Sequence, residues 1–169
     1  MQETQATITK WCEDTFGEVT SNFNLATRAN QEMAELLKCY GEDVNHPKLG
    51  EECADIIIVL CRLATILRLN LTFGTLSDNL KLDTEALAEA TEEMAYLVKT
   101  FLVSNRPSHV RVHMEDCVDG LFRLAKHKGI DLCAEIDAKM EINRSRRWKL
   151  DGKGCGQHIP STDPRTVQD

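Results

Sequence analysis

The run Ile56-Ile57-Ile58-Val59-Leu60-Cys61, entered through Glu52 and Asp55, constrains this chain more than any other stretch. It is apolar nearly all round, so as a helix it has no face to offer to water and belongs in the middle of a fold. Two carboxylates carried into such a helix need a partner or a metal ion, because an unpaired charge away from water is costly. A second acidic pair precedes it, in Gln31-Glu32-Met33-Ala34-Glu35. Helical residues three apart lie about 60° round and about 4.5 Å along the axis. Glu32 with Glu35, and Glu52 with Asp55, therefore each present two carboxylates side by side. Between the pairs stand Gly41, Asn45, Pro47 and Gly50, a turn that lets the two helices run antiparallel and the pairs face each other. Four converging carboxylates repel unless a cation sits among them, and hard oxygen donors favour Mg²⁺ or Mn²⁺ over zinc. A Glu-x-x-Glu alone is commonly just a solvated helix face. The apolar setting of the second pair makes the divalent-metal reading the stronger one.

Length bounds the rest: 169 residues make one domain with a real core. The 3.6-residue periodicity recurs along the chain and alternating strand patterns are nearly absent, so the expected fold class is all-α. The net charge of −7 gives no general electrostatic case for nucleic acid or an anionic membrane. No apolar run is long enough to span a bilayer, and Met1 to Gln5 lacks a signal-peptide layout. Seven cysteines, with no Cys-x-x-Cys, are expected to be reduced thiols in a cytoplasmic protein.

In order, helices are expected at 5–16, 22–40, 47–69, 83–104, 108–128 and 131–147, followed by loop from Asp151 to Gly156. Residues 1–159 form the domain and 160–169 a flexible tail. Trp11 lies on the apolar face of the first helix, as core or as a ligand contact. Lys38, one turn beyond Glu35, either meets a phosphate or is simply solvated. His109, His113 and Cys117 share a helical stripe, which ordinary packing explains better than zinc.

The chain also echoes itself. Sliding it by 61 residues matches 25–71 to 86–132 without gaps, with 12 identities in 47 positions. Ala29, Glu32, Met33 and Leu36 meet Ala90, Glu93, Met94 and Leu97; Asp55, Arg62 and Leu63 meet Asp116, Arg123 and Leu124. At the four carboxylate positions the second copy offers Glu93, Tyr96, His113 and Asp116. The expected architecture is a four-helix-bundle-like core of two duplicated hairpins, one with a working metal site and one decayed, the decayed copy walling the pocket.

Positive charge concentrates near the C-terminus, from Lys139 through Asn143 to Arg144, Arg146 and Arg147. A cationic helix end is favoured by the macrodipole alone. Beside a carboxylate-held Mg²⁺, the same cluster points to a polyphosphate substrate.

The order Glu32-x-x-Glu35, Glu52-x-x-Asp55, Lys139-x-x-x-Asn143-Arg144-x-Arg146 and Asp151-Gly152-x-Gly154-x-Gly156-x-His158 resembles the MazG-like all-α nucleoside triphosphate pyrophosphohydrolases. The resemblance covers about 8 to 159. It implies Mg-dependent hydrolysis of a nucleoside triphosphate to the monophosphate and pyrophosphate in a homo-oligomer. It further implies that Glu32, Glu35, Glu52 and Asp55 hold the metal, with Glu35 and Glu52 acting on the attacking water. Lys139, Asn143 and Arg146 would grip the substrate, with Lys38 a lesser candidate and Trp11 and Asn24 near the base. The family analogy leans to deoxynucleotides, purines among them. Simple members lack the second copy, and that departure leans towards the related dimeric dUTPases. The alternatives are therefore a dUTP diphosphatase and a non-catalytic helical interaction module. A di-iron bundle would need Glu-x-x-His pairs, which neither copy has.

Overall fold

The computed structural model describes residues 2–73, 82–103 and 107–160. Parts of the expected connectors (Gly74, Ser77, Asp78, Asn79, Asn105 and Arg106) and nearly all of the expected tail lie outside them. Six helices follow in order: α1 (Gln5–Phe16), α2 (Asn22–Glu42), α3 (Leu49–Ile66), α4 (Asp83–Val103), α5 (Pro107–His127) and α6 (Leu132–Ser145). The fold is all-α, as the periodicity requires.

Helix ends follow local chemistry. Thr4 caps α1 in a reciprocal box, its Oγ1 accepting from the Thr7 amide at 3.2 Å while its own amide donates to Thr7 Oγ1 at 2.8 Å. Asp131 caps α6 by accepting from the Ala134 amide at 3.1 Å. α3 is shorter than the expected 47–69. It ends when Arg68 turns left-handed at φ 58°, the Arg68 amide donating to Thr65 O at 3.0 Å and the Leu69 amide to Ala64 O at 2.8 Å.

The helices pair as two antiparallel hairpins, α2 with α3 and α4 with α5, and α2 packs on α4. α3 also meets α1, α5 and α6, which explains why its apolar run has no solvent face. Ile56, Ile57, Leu60, Cys61 and Leu63 are all fully buried there.

The 61-residue repeat reappears in the helix boundaries. α2 and α4 begin at Asn22 and Asp83 and end at Glu42 and Val103, 61 residues apart at both ends. Even the cap repeats: Gly129, at φ 67°, closes α5 as Arg68 closes α3, with Gly129 N donating to Lys126 O and Ile130 N to Ala125 O. The buried stripe Leu25, Ala26, Ala29, Met33 and Leu36 of α2 maps onto Ala86, Leu87, Ala90, Met94 and Leu97 of α4.

The C-terminal region departs from expectation. α6 stops at Ser145, and two short antiparallel strands, β1 (Trp148–Leu150) and β2 (Gly156–His158), bracket the expected Asp151–Gly156 loop, with Gly156 taken into β2. The loop closes on Asp151 Oδ1, which accepts from the Lys153 and Cys155 amides at 2.7 and 2.9 Å. Three-residue strands are too short to announce themselves by alternation. All seven cysteines are free thiols.

Candidate active site

The two acidic pairs come from adjacent helices, α2 and α3, on the side facing α6. Glu32, Glu52 and Asp55 each bring a carboxylate oxygen within 4.8 Å of the others. Among the described residues this is the one group arranged to hold a metal ion. Glu32 is only 4% exposed, an unusual place for a carboxylate. Burial, only partly offset by Arg28 and reinforced by Asp55, Glu35 and Glu52, pushes its pKa up to about 7. Burial followed by the charges of Asp55 and Glu35 raises Glu52 to about 6. Burial also raises Asp55, against the pull of Lys139. Three crowded, desolvated oxygen donors whose protons are held too tightly fit a hard divalent cation, which would favour their ionised forms.

Glu35 lines the same cavity but stands outside the trio, exposed at its rim. Lys139 is buried, with Nζ 2.6 Å from Asp55 Oδ2 and 2.5 Å from Glu51 Oε1. It was expected to grip phosphate, yet here the anions it meets are the protein's own. Burial works against the charge of Lys139, but Asp55 and Glu51 together hold its pKa above the ordinary value. Burial would raise Glu51, and the Lys139 hydrogen bond and charge more than reverse it. Asn143 and Arg146 also line the cavity, Arg146 Nη1 donating to Asn143 Oδ1 at 3.4 Å.

The cavity holds about 380 Å³. The carboxylates lie at one part of its wall, and an aromatic cluster makes another. Trp11 packs edge-on to Phe16 (centroids 5.3 Å apart) and to Trp148 (6.0 Å), and Phe16 lies 5.1 Å from Trp148. Trp148 is fixed in turn by its Nε1, which donates to the Asn143 carbonyl at 3.1 Å. Trp11 is thus both half-buried packing and cavity lining.

Two expected contacts are not brought in. Lys38 is exposed and its nearest acid is Glu42 at 3.9 Å, one turn on. It points away because α2 rotates it off the Glu32 stripe. Asn24 does not line the cavity; its amide donates to Thr20 Oγ1 at 3.4 Å in the first turn of α2. Among the described residues the second hairpin, expected to wall the pocket, contributes no cavity wall either. α1, α6 and the β1–β2 hairpin supply it instead, because α4 and α5 cover the opposite side of the α2–α3 pair.

Several lining residues escaped the motif reading. Arg28, paired with Glu32, stands one helical turn before it. Glu51 stands one turn before Asp55, so i,i+4 spacing carried a signal for both. Phe16 was legible only as part of the apolar face of the first helix, and Arg62 only as a match within the repeat; tertiary packing decided that both line the cavity.

A dATP/dGTP diphosphohydrolase of Cyanophage S-2L is 32% identical to this chain over 62 residues, 37% of the chain and 59% of that relative. The match thus spans little more than half the length of the relative. No protein-family model matches the chain. No solved structure matches it. No helix among the described residues is long and apolar enough to cross a membrane.

Proposed function

We propose that this chain hydrolyses deoxynucleoside triphosphates, the purines dATP and dGTP foremost, to the monophosphate and pyrophosphate, using Mg²⁺ or Mn²⁺. The observation that carries the reading is the Glu32–Glu52–Asp55 trio, desolvated and crowded, in a cavity that also holds cations and an aromatic wall. The cavity volume falls within the usual range for small-ligand sites. The name of the cyanophage relative supports the purine deoxynucleotide class.

Glu32, Glu52 and Asp55 hold the metal, and Glu35 at the rim completes the set. When bound, the cation neutralises triphosphate oxygens and lowers the pKa of water. Water attacks the α-phosphorus, the bond to the bridging oxygen breaks, and pyrophosphate leaves with that oxygen. Glu35, at the rim beside the trio, takes the water's proton, with Glu52 orienting the water. Lys139 steadies and aims Asp55 through their ion pair, while Arg146 and Arg28 face the phosphates. Trp11 and Trp148 offer flat surfaces to the base. The working form is a homo-oligomer in the cytoplasm.

The test is a panel of canonical NTPs and dNTPs, with dUTP, in Mg²⁺, separating pyrophosphate from orthophosphate. Pyrophosphate from dATP or dGTP is the expected result. Pyrophosphate from dUTP alone moves the chain to the dUTPase reading that its duplicated hairpins also suit. No turnover with either metal overturns the enzyme.

A further inference from the structure

Arg62 is a buried arginine that the proposed chemistry does not use. It is 3% exposed, near the C-terminal end of α3. Its Nη2 donates to the Gly17 carbonyl at 2.5 Å and its Nη1 to the Gly154 carbonyl. Its guanidinium carbon lies 5.9 Å from the centre of the Phe16 ring. Among the described residues no acid pairs with it. One cation thus ties the end of α1 to the loop of the C-terminal hairpin, across the rim of the cavity.

The matching position of the repeat shows the contrast. Arg123, 61 residues on, is spent within its own hairpin: Nη2 lies 2.8 Å from Glu89 on α4 and Nε 2.9 Å from Asp119 on α5. At the positions equivalent to Glu89 and Asp119, the first copy has Arg28 and Ile58. Arg28 pairs with Glu32, and Ile58 carries no charge. A buried guanidinium without an acid partner must find carbonyl oxygens, because leaving it bare is costly. Gly17 and Gly154 supply them.

The other side of this joint is fitted as closely. Gly154 has φ 93°, and a Cβ there would sit 2.7 Å from both the Glu18 carbonyl oxygen and Val19 Cα. The Thr20 amide also donates to the Lys153 carbonyl, at 3.3 Å. Trp148, at the foot of the same hairpin, completes the aromatic wall with Trp11 and Phe16.

We propose that Arg62 is a positioning residue that latches the β1–β2 hairpin against the α1–α2 turn and so sets the aromatic wall against which the substrate's base docks. The role in base docking rests on the nucleotide reading above; the latch itself does not. The metal end of the cavity is built on α2 and α3 and does not depend on the hairpin. Loosening the latch therefore weakens binding that ground state and transition state share, which raises KM and spares kcat.

Steady-state kinetics on dATP and dGTP would be measured for the wild type, Arg62→Met, Arg62→Lys and Gly154→Ala, with tryptophan emission and tryptic cleavage at Lys149 and Lys153. The chain has two tryptophans and both are in this wall, so emission reports its docking without reference to activity. Arg62→Met and Gly154→Ala are expected to raise KM about tenfold with kcat within about threefold, shift emission to the red and speed hairpin cleavage. Arg62→Lys, reaching one carbonyl, restores part of each. Gly154→Ala decides the matter if Arg62→Met fails to fold. Unchanged emission and cleavage overturn the latch, as does a fall in kcat at constant KM. If the wild type turns over no nucleotide, the enzyme reading fails, while emission and cleavage still decide whether Arg62 holds the hairpin.

Discussion

The α2–α3 and α4–α5 hairpins share a period, a buried stripe and a helix cap, yet they handle charge in opposite ways. In the first, Glu32, Glu52 and Asp55 crowd together without enough protein cations to balance them. In the second, the position of Glu52 is His113, whose Nδ1 lies 2.6 Å from Glu93 Oε2. Tyr96, in place of Glu35, stacks on that imidazole with centroids 5.5 Å apart. Asp116 is still raised, by burial and then by Glu93, but it now neighbours a base. The second copy satisfies its charges internally, and the first leaves carboxylates in want of a cation. Two hairpins of one repeating pattern can thus pack alike while only one is left with clustered carboxylates short of cations.

The largest expected effect tests that asymmetry directly. Asp55→Asn should lower turnover by about a thousandfold or more, removing a metal ligand from a site of this kind. Its 61-residue counterpart Asp116→Asn should stay within about twofold. Helical circular dichroism should be preserved in both. Equal losses from the two variants would erase the distinction between the copies.

A second effect is on stability. The native state holds the Glu32 and Glu52 protons up to about pH 7 and pH 6, more tightly than an unfolded chain with ordinary glutamates does. Their contribution to metal-free stability is full below about pH 4.3 and is lost as pH rises through 6 and 7. Mg²⁺ binding displaces those protons, so its stabilisation should be small at pH 5 and grow towards pH 8. At about 100 times Kd it reaches about 2.7 kcal/mol. Glu32→Gln should stabilise the metal-free protein at pH 8 by about 2 kcal/mol and blunt the response to Mg²⁺. Thermal melts across pH, with and without Mg²⁺, measure both; a Mg²⁺ effect independent of pH would rule out this electrostatic account. Glu93→Gln should leave the Mg²⁺ response intact.

The smallest effect concerns the shared cap. Arg68 holds a left-handed backbone that Gly129 supplies without a Cβ in the second copy. Arg68→Gly should raise stability by about 0.5–1 kcal/mol, read from denaturant midpoints. A loss of stability would mean that the Arg68 side chain contributes more than its backbone strain costs.

Sequence spacing alone was enough to place Glu32 with Glu52 and Asp55, because helical periodicity and a short turn leave two amphipathic helices few ways to pack. The same rule located six helices to within three residues at each end and exposed the 61-residue repeat. It could not say that Lys139 would spend its charge on Asp55 and Glu51, since that depends on how α6 lies across α3. Nor could it keep α4 and α5 out of the cavity wall, or bring Trp148 to Trp11 through two strands of three residues each. Local pattern is written in side-chain period, and the chain itself determined its helices, its repeat and its acidic core. Which surfaces those helices show one another is decided by long-range packing, so the cavity's walls, its aromatic face and the Arg62 joint came from the tertiary structure alone.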